Sequence, residues 1–95
     1  MIKLSAPLEV WSGADGRSHY LTIPDEESGE IRAHAIMVRR GFGSVRVEAR
    51  IGAIVWRTSV FPMKAGGYFL PVKMEVCRAA GLTVGGAVEV ELELL

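Results

Sequence analysis

The chain has 95 residues, of which 49% are hydrophobic and 23% charged, and this composition is typical of one globular domain rather than a disordered segment. Eleven basic side chains balance eleven acidic ones, so the formal net charge is zero. A general polyanion binder needs surplus positive charge to displace counterions from phosphates. Duplex DNA is therefore not an expected partner.

Cysteine content and apolar runs set further limits. The single cysteine, Cys77, leaves no partner for an intramolecular disulfide or for a paired-cysteine metal site. The N-terminal residues have an early proline and no long apolar run, so no secretory signal is expected. No stretch approaches the roughly 20 apolar residues that span a bilayer. We expect one cytoplasmic domain over residues 1–95 that does not contact a membrane.

The first half of the chain predicts strands over residues 2–11, 18–24 and 44–51 and a helix over residues 25–37. Pro7 favours an edge strand or a bulge for the first of them. The helix begins with acidic side chains, which its dipole favours there. Residues 39–43 form a predicted turn. The strand over 44–51 alternates apolar with charged residues, so one of its faces should be buried.

The second half predicts strands over residues 54–61, 68–71 and 87–94 and a helix over residues 72–80. Gly52 and Ala53 separate two strands, and glycine at the first of two loop positions favours a type II′ hairpin turn. Gly81 lies where a helix end favours a left-handed residue, and Leu82 should fold back over the last turn. In the final strand, valines and leucines alternate with three glutamates.

The two halves share an order of elements. In each half a strand ends at a proline, a helix follows, and an alternating strand comes after a glycine-containing turn. The spacings differ, with 21 residues from Pro24 to Val45 and 17 from Pro71 to Val88, so the repeat is one of elements only. It favours a closed barrel with pseudo-two-fold symmetry over an open sheet.

Several segments resemble the bacterial domain-of-unknown-function family 1905. They are the hairpin "RIGAIVWRTSVFP", the strand "GGYFLPVK", the helix end "RAAGLTVGG" and the N-terminal pattern "LEVW…YLTIPDE". The resemblance covers nearly the whole chain. It implies a mainly β fold, a small double-split β-barrel of about six strands with two short capping helices. The family has no established activity, so the resemblance implies no mechanism.

The C-terminal segment "LPVKMEVCRAAGLTVGGAVEVELE" also resembles half of an AbrB/MazE swapped-hairpin DNA-binding domain. It departs from that pattern at Gly86, where those proteins usually carry aspartate. Its last strand is lined by glutamates rather than by basic residues. The likeness is therefore better support for a shared fold than for a shared ligand.

No catalytic motif, phosphate-binding loop or metal-ligand set is visible, so we predict no enzyme, no catalytic residue, no metal and no cofactor. His19 and His34 are interpreted as ordinary surface or boundary residues. Cys77 is interpreted as a small buried apolar side chain. Trp11 and Tyr20 are expected to close one end of the barrel.

Six arginines lie between residues 32 and 57: Arg32, Arg39, Arg40, Arg46, Arg50 and Arg57. They could form an anion or nucleic-acid site. Alternatively, Arg46 and Arg50 share the outward face of one strand and could pair with glutamates of the final strand, if these two strands are paired at the barrel seam. We favour the second interpretation, although each such pair contributes only a few tenths of a kcal/mol.

The strand "IVWRTSVF" mixes apolar and polar residues on both faces, so one face is expected to meet a cleft that takes a small anionic or polar ligand. The predicted binding residues are Arg57, Ser59, Tyr68 and Lys73. Arg57 supplies a fixed fork of donors. The alternative is that Arg57 pairs with a glutamate on a neighbouring strand and no cleft exists. Trp56 is expected to pack into the core.

The sequence thus predicts a bacterial binding or interaction module that is not catalytic. Its partner is expected to be a small ligand or a protein, and the chain a monomer or a homodimer. The alternative is an AbrB-like DNA-binding or antitoxin-type regulator.

Overall fold

The computed structural model describes residues 1–14, 16–38 and 43–95 as six strands and two helices. In chain order these are β1 (Ile2–Gly13), β2 (Gly16–Thr22), α1 (Asp25–Val38), β3 (Val45–Ile51), β4 (Ile54–Pro62), β5 (Tyr68–Val72), α2 (Met74–Ala79) and β6 (Ala87–Leu94). All eight predicted elements form. The predicted turn over 39–43 lies, apart from Gly43, outside the described residues. Neither described helix has the length and apolar character needed to cross a membrane.

The strands close into one antiparallel barrel in the order β1-β2-β5-β4-β3-β6, which confirms the predicted mainly β barrel. β1 changes partner at its middle, because Ile2–Pro7 pair with β6 and Leu8–Gly13 pair with β2. Pro7 lies at this changeover, opposite Ala87 at the end of the ladder with β6. β4 changes partner in the same way, from β3 to β5, at Phe61.

The pairing scheme has the two-fold symmetry that the repeated order of elements predicts. If β1 is exchanged with β4, β2 with β5 and β3 with β6, every strand pair in the barrel maps onto another pair that is also present. The extent of pairing breaks this symmetry. The ladder between β1 and β2 runs from Leu8 to Gly13, whereas the ladder between β4 and β5 comprises only the pairs at Phe61 and Pro62.

The core lies inside the barrel and follows the alternation read from the sequence. In β3 the apolar residues Val45, Val47, Ala49 and Ile51 are all buried, and the charged residues between them are not. β6 repeats the pattern with buried residues at alternate positions. From α1, Ile31 is fully buried and closes part of the core.

Two glycines have the positive φ angles that the sequence predicts. Gly81 has a φ of 64° directly after the last turn of α2, and the N–H of Leu82 donates to the carbonyl of Cys77. Gly52 has a φ of 59° in the two-residue turn between β3 and β4. Both angles lie in the left-handed region, which residues with a Cβ rarely adopt.

Candidate binding site

The short ladder between β4 and β5 leaves a groove at one opening of the barrel. On the N-terminal side of Phe61, β4 pairs with β3 and no longer with β5, and Lys73 and Met74 at the start of α2 line the groove. The groove has a volume of about 250 Å³. We call it the mouth groove, and its principal lining residues are Arg17, His19, Trp56, Thr58, Val72 and Lys73.

Strand alternation determines which side chains line the mouth groove. Leu21 is buried inside the barrel, so His19 and Arg17, two and four positions earlier on β2, lie on the same inward face. On β4 the buried Val60 places Thr58 and Trp56 inward for the same reason. Inward positions that are apolar elsewhere in the barrel are therefore polar or aromatic at this opening.

The charges of the mouth groove have one sign. Arg17 and Lys73 are exposed, His19 is half-buried, and all three line the groove. No carboxylate occurs among the described lining residues. Arginine and lysine are both charged at neutral pH, so the charged side chains that line the groove among the described residues are all cationic. Trp56 is half-buried and packs against the core, and it presents an apolar ring beside these charges.

The four residues predicted to bind a ligand do not form one cluster. Lys73 lines the mouth groove, but Arg57 and Ser59 lie on the outer face of β4, away from it. Tyr68 is buried, with 5% of its surface exposed. A cleft does lie against β4, as expected for a strand of mixed faces, but Trp56 and Thr58 form its wall. The sequence could have indicated this wall, because Thr58 and Trp56 share a face of β4 with the apolar Val60.

Arg57 forms an ion pair with Glu48 on β3, with 3.4 Å between Nε and Oε1. This confirms that Arg57 pairs with a glutamate on the neighbouring strand, which was the alternative interpretation. The arginine side chain is 66% exposed, so the pair contributes little to stability. The mouth groove opens on the opposite face of β4, and Arg57 does not line it.

We call the outer face of the barrel the outer wall. The prediction that Arg46 and Arg50 pair there with glutamates of the final strand is met only in the strand register of Arg50. β3 does pair with β6, and Arg50 lies directly opposite Glu91. Arg46 lies opposite Ser59 of β4, and Glu48 faces Glu93, a pair of like charge. Among the described residues, the pair between Arg57 and Glu48 is the one ion pair within 4.0 Å. Arg39 and Arg40 lie outside the described residues.

A second surface was not predicted from the sequence. On the outside of β1, β2, β4 and β5, aromatic rings lie around a shallow groove of about 570 Å³. We call this the aromatic face, and it comprises Trp11, Tyr20, Phe61, Met63, Phe69 and Pro71. The ring centroids of Phe61 and Phe69 are 5.6 Å apart, and those of Tyr20 and Phe69 are 5.9 Å apart.

The expectation that Trp11 and Tyr20 close the barrel end is wrong. The inward pair Leu8–Leu21 fixes the alternation of β1 and β2, so the odd-numbered Trp11 and the even-numbered Tyr20 both point outward. Trp11 is 59% exposed.

Cys77 and His34 line neither the mouth groove nor the groove of the aromatic face. Cys77 is buried in the core as predicted, and its Sγ lies 3.8 Å from the carbonyl oxygen of Val72. Burial raises the pKa of its thiol above the ordinary value. His34 lies on α1, with its Nε2 3.3 Å from the carbonyl oxygen of Leu95. Within residues 1–14, 16–38 and 43–95, no three histidine, cysteine or acidic side chains come together as a metal site.

A family model described as "Domain of unknown function (DUF1905)" matches residues 5–92. The chain therefore belongs to this family, as the resemblance implied. No curated protein matches the chain.

Proposed function

We propose that this DUF1905 domain is a non-catalytic binding module whose mouth groove binds a small anion that carries a planar apolar group. The observation that supports this is the joint position of Arg17, Lys73 and Trp56 around one groove without a carboxylate among its described lining residues. Paired cations beside an aromatic ring favour a ligand with both a negative charge and a ring or other flat group.

The size of the groove favours a small ligand. Drug-sized ligands usually occupy pockets of about 300 to 1,000 Å³. The mouth groove, at about 250 Å³, matches a single ring with a carboxylate or phosphate rather than a dinucleotide. Its lining also suits such a ligand, because the buried Val72 and the half-buried Trp56 are apolar while the exposed Arg17 and Lys73 are cationic.

The absence of catalysis is part of the proposal. Of the side chains that line the groove, His19 is the one that could act as a general base. Thr58 and Ser18 supply hydroxyl groups in the same lining. Among the described residues, no hydrogen bond joins His19 to a hydroxyl or to a carboxylate that would orient it. A base that activates a hydroxyl normally has both contacts.

A thermal-shift and calorimetric comparison tests the proposal with phenyl phosphate, inorganic phosphate and phenol. We expect phenyl phosphate to bind more tightly than either of the other two. Arg17→Ala and Lys73→Ala should each weaken that binding. Arg57→Ala is the matched control, because it removes an exposed cation from the outer wall and should leave binding unchanged. Equal binding by the control and the groove variants, or no binding of phenyl phosphate, would overturn the proposal.

A further inference from the structure

The aromatic face and the mouth groove are neighbours. Ser18, His19 and Pro71 line both, so the two surfaces are separated only by the edge formed by β2 and β5. The outer side of this edge is apolar and the inner side is cationic. A ligand longer than a single ring can therefore contact both surfaces at once.

The position of Trp11 is supported by a glycine. Gly13 lies two positions further along β1 on the same face, and the six-membered ring of the indole lies over it. A Cβ at residue 13 would overlap this ring. The indole is thus held against the strand while most of its surface remains exposed. A large aromatic side chain of 59% exposure has no core role, so its exposed surface is available to a partner.

Three cationic side chains line the aromatic face or the neighbouring mouth groove. Lys64 lines one part of the aromatic face, and Arg17 and Lys73 lie across the edge in the mouth groove. Glu9 is opposite Tyr20 on the neighbouring strand, but its carboxylate accepts a hydrogen bond from the Thr22 hydroxyl at 2.6 Å and it does not line the groove. A second copy of this face would bring like charges together, so the charges favour an anionic partner over self-association.

We propose that the aromatic face and the mouth groove together bind single-stranded nucleic acid. Unpaired bases stack on Trp11 and on the rings of Tyr20 and Phe69, and a phosphate occupies the mouth groove between Arg17 and Lys73. This inference rests on the proposed function, because the phosphate is the anion of the mouth groove. Stacking on aromatic rings with cations along the path is the general chemistry of single-strand binding without sequence preference.

The proposal differs from duplex recognition in two ways. Bases in a duplex are stacked on one another, so their faces are not available to Trp11. The number of cations is also small. With about two to three phosphates neutralised, the logarithm of affinity should fall with the logarithm of salt concentration with a slope of about −1.4 to −2.1 for a single strand. This salt dependence is weak compared with that of proteins that rely on phosphate contacts alone.

The test uses fluorescence polarisation with a labelled ten-nucleotide single-stranded DNA of mixed sequence. The same oligonucleotide as a duplex and an acidic peptide of similar charge serve as competing probes. We expect the single strand to bind best, with quenching of Trp11 fluorescence that is lost in Trp11→Phe. Trp11→Ala should weaken binding about ten-fold or more, the loss expected when one base loses its stacking partner.

Gly13→Ala is the most informative variant, because it displaces the indole without removing it. The ring is exposed, so it can rotate away and the domain should remain folded, which an unchanged melting curve checks. We expect it to weaken single-strand binding nearly as much as Trp11→Ala. Arg17→Ala and Lys73→Ala should also weaken it and reduce the salt slope, whereas Arg57→Ala should have no effect.

The outcomes separate the two proposals. Binding of phenyl phosphate in the mouth groove without single-strand binding overturns this inference and leaves the proposed function standing. Absence of both overturns both. Tighter binding of the duplex or of the acidic peptide, or single-strand binding that Gly13→Ala and Trp11→Ala leave unchanged, also overturns the inference.

Discussion

Ser28 and Tyr68 lie forty positions apart and are joined by a hydrogen bond, in which the backbone N–H of Tyr68 donates to Ser28 Oγ at 3.2 Å. The same hydroxyl donates to the carbonyl of Ile23 at 3.1 Å. Ser28 is the one buried polar side chain among the described residues, with 4% of its surface exposed. It connects the first turns of α1 to β5 and to the end of β2.

Ser28→Ala should destabilise the domain by about 1 to 3 kcal/mol, because it leaves the buried N–H of Tyr68 without an acceptor. Urea unfolding measures the difference in the free energy of unfolding. Ser5→Ala is the control, because Ser5 is exposed on the outer wall and should change stability by no more than about 0.5 kcal/mol. Equal stability of the two variants would show that the Ser28 bonds are not formed in solution.

Gly81→Val should destabilise the domain by more than about 1 kcal/mol, because a β-branched residue resists the positive φ at the end of α2. The midpoint of thermal unfolding reports the loss. Gly29→Ala provides the comparison, since Gly29 lies in α1 without a positive φ and with open space around its Cα. That change should be neutral or stabilising by up to about 1 kcal/mol. An unchanged midpoint in Gly81→Val would contradict the helix end described above.

Stability should fall in alkaline solution through Cys77. Burial raises the pKa of its thiol in the folded state. Below the ordinary thiol pKa both states hold the proton, and above about pH 8.5 the unfolded chain releases it more readily than the folded chain. The free energy of unfolding therefore decreases as pH rises through this range. Cys77→Ala is less stable at every pH, but its stability should decline less steeply from pH 8 to about 10, and identical slopes would contradict the assignment.

The regulator alternative is tested by binding to duplex DNA. The net charge of zero and the glutamates of β6 predict no useful affinity for the duplex at about 0.15 M salt. A gel-shift assay with duplexes of mixed sequence measures it. Submicromolar affinity that weakens steeply with salt would favour an AbrB-like regulator instead.

The fold was largely predictable because alternate residues of the barrel strands are apolar and point inward. The period-two alternation in β3 and β6 predicted both strands and their buried faces. Gly52 and Gly81 predicted the turns in which they lie. The repeated order of elements gave the closed, pseudo-symmetric arrangement.

The candidate site was less predictable because it depends on a departure from that symmetry. β4 and β5 pair at only two positions, and no local pattern in "IVWRTSVF" shows where the ladder stops. The conspicuous charge of Arg57 indicated the outer face of β4, whereas the groove opens on the inner face beside Trp56. Arg17 and His19 come from a distant strand, so only the assembled barrel places them with Lys73.

Titration of the isotope-labelled domain with phenyl phosphate, followed by proton–nitrogen correlation spectra, tests the central claim most directly. The mouth groove predicts perturbation of the indole N–H of Trp56 and of the backbone N–H groups of Arg17, His19 and Lys73. The N–H signals of Lys3, Arg50 and Glu91, on the outer wall, should remain in place. Perturbations confined to the outer wall, or none at saturating ligand, would contradict the assignment of the mouth groove as the anion site.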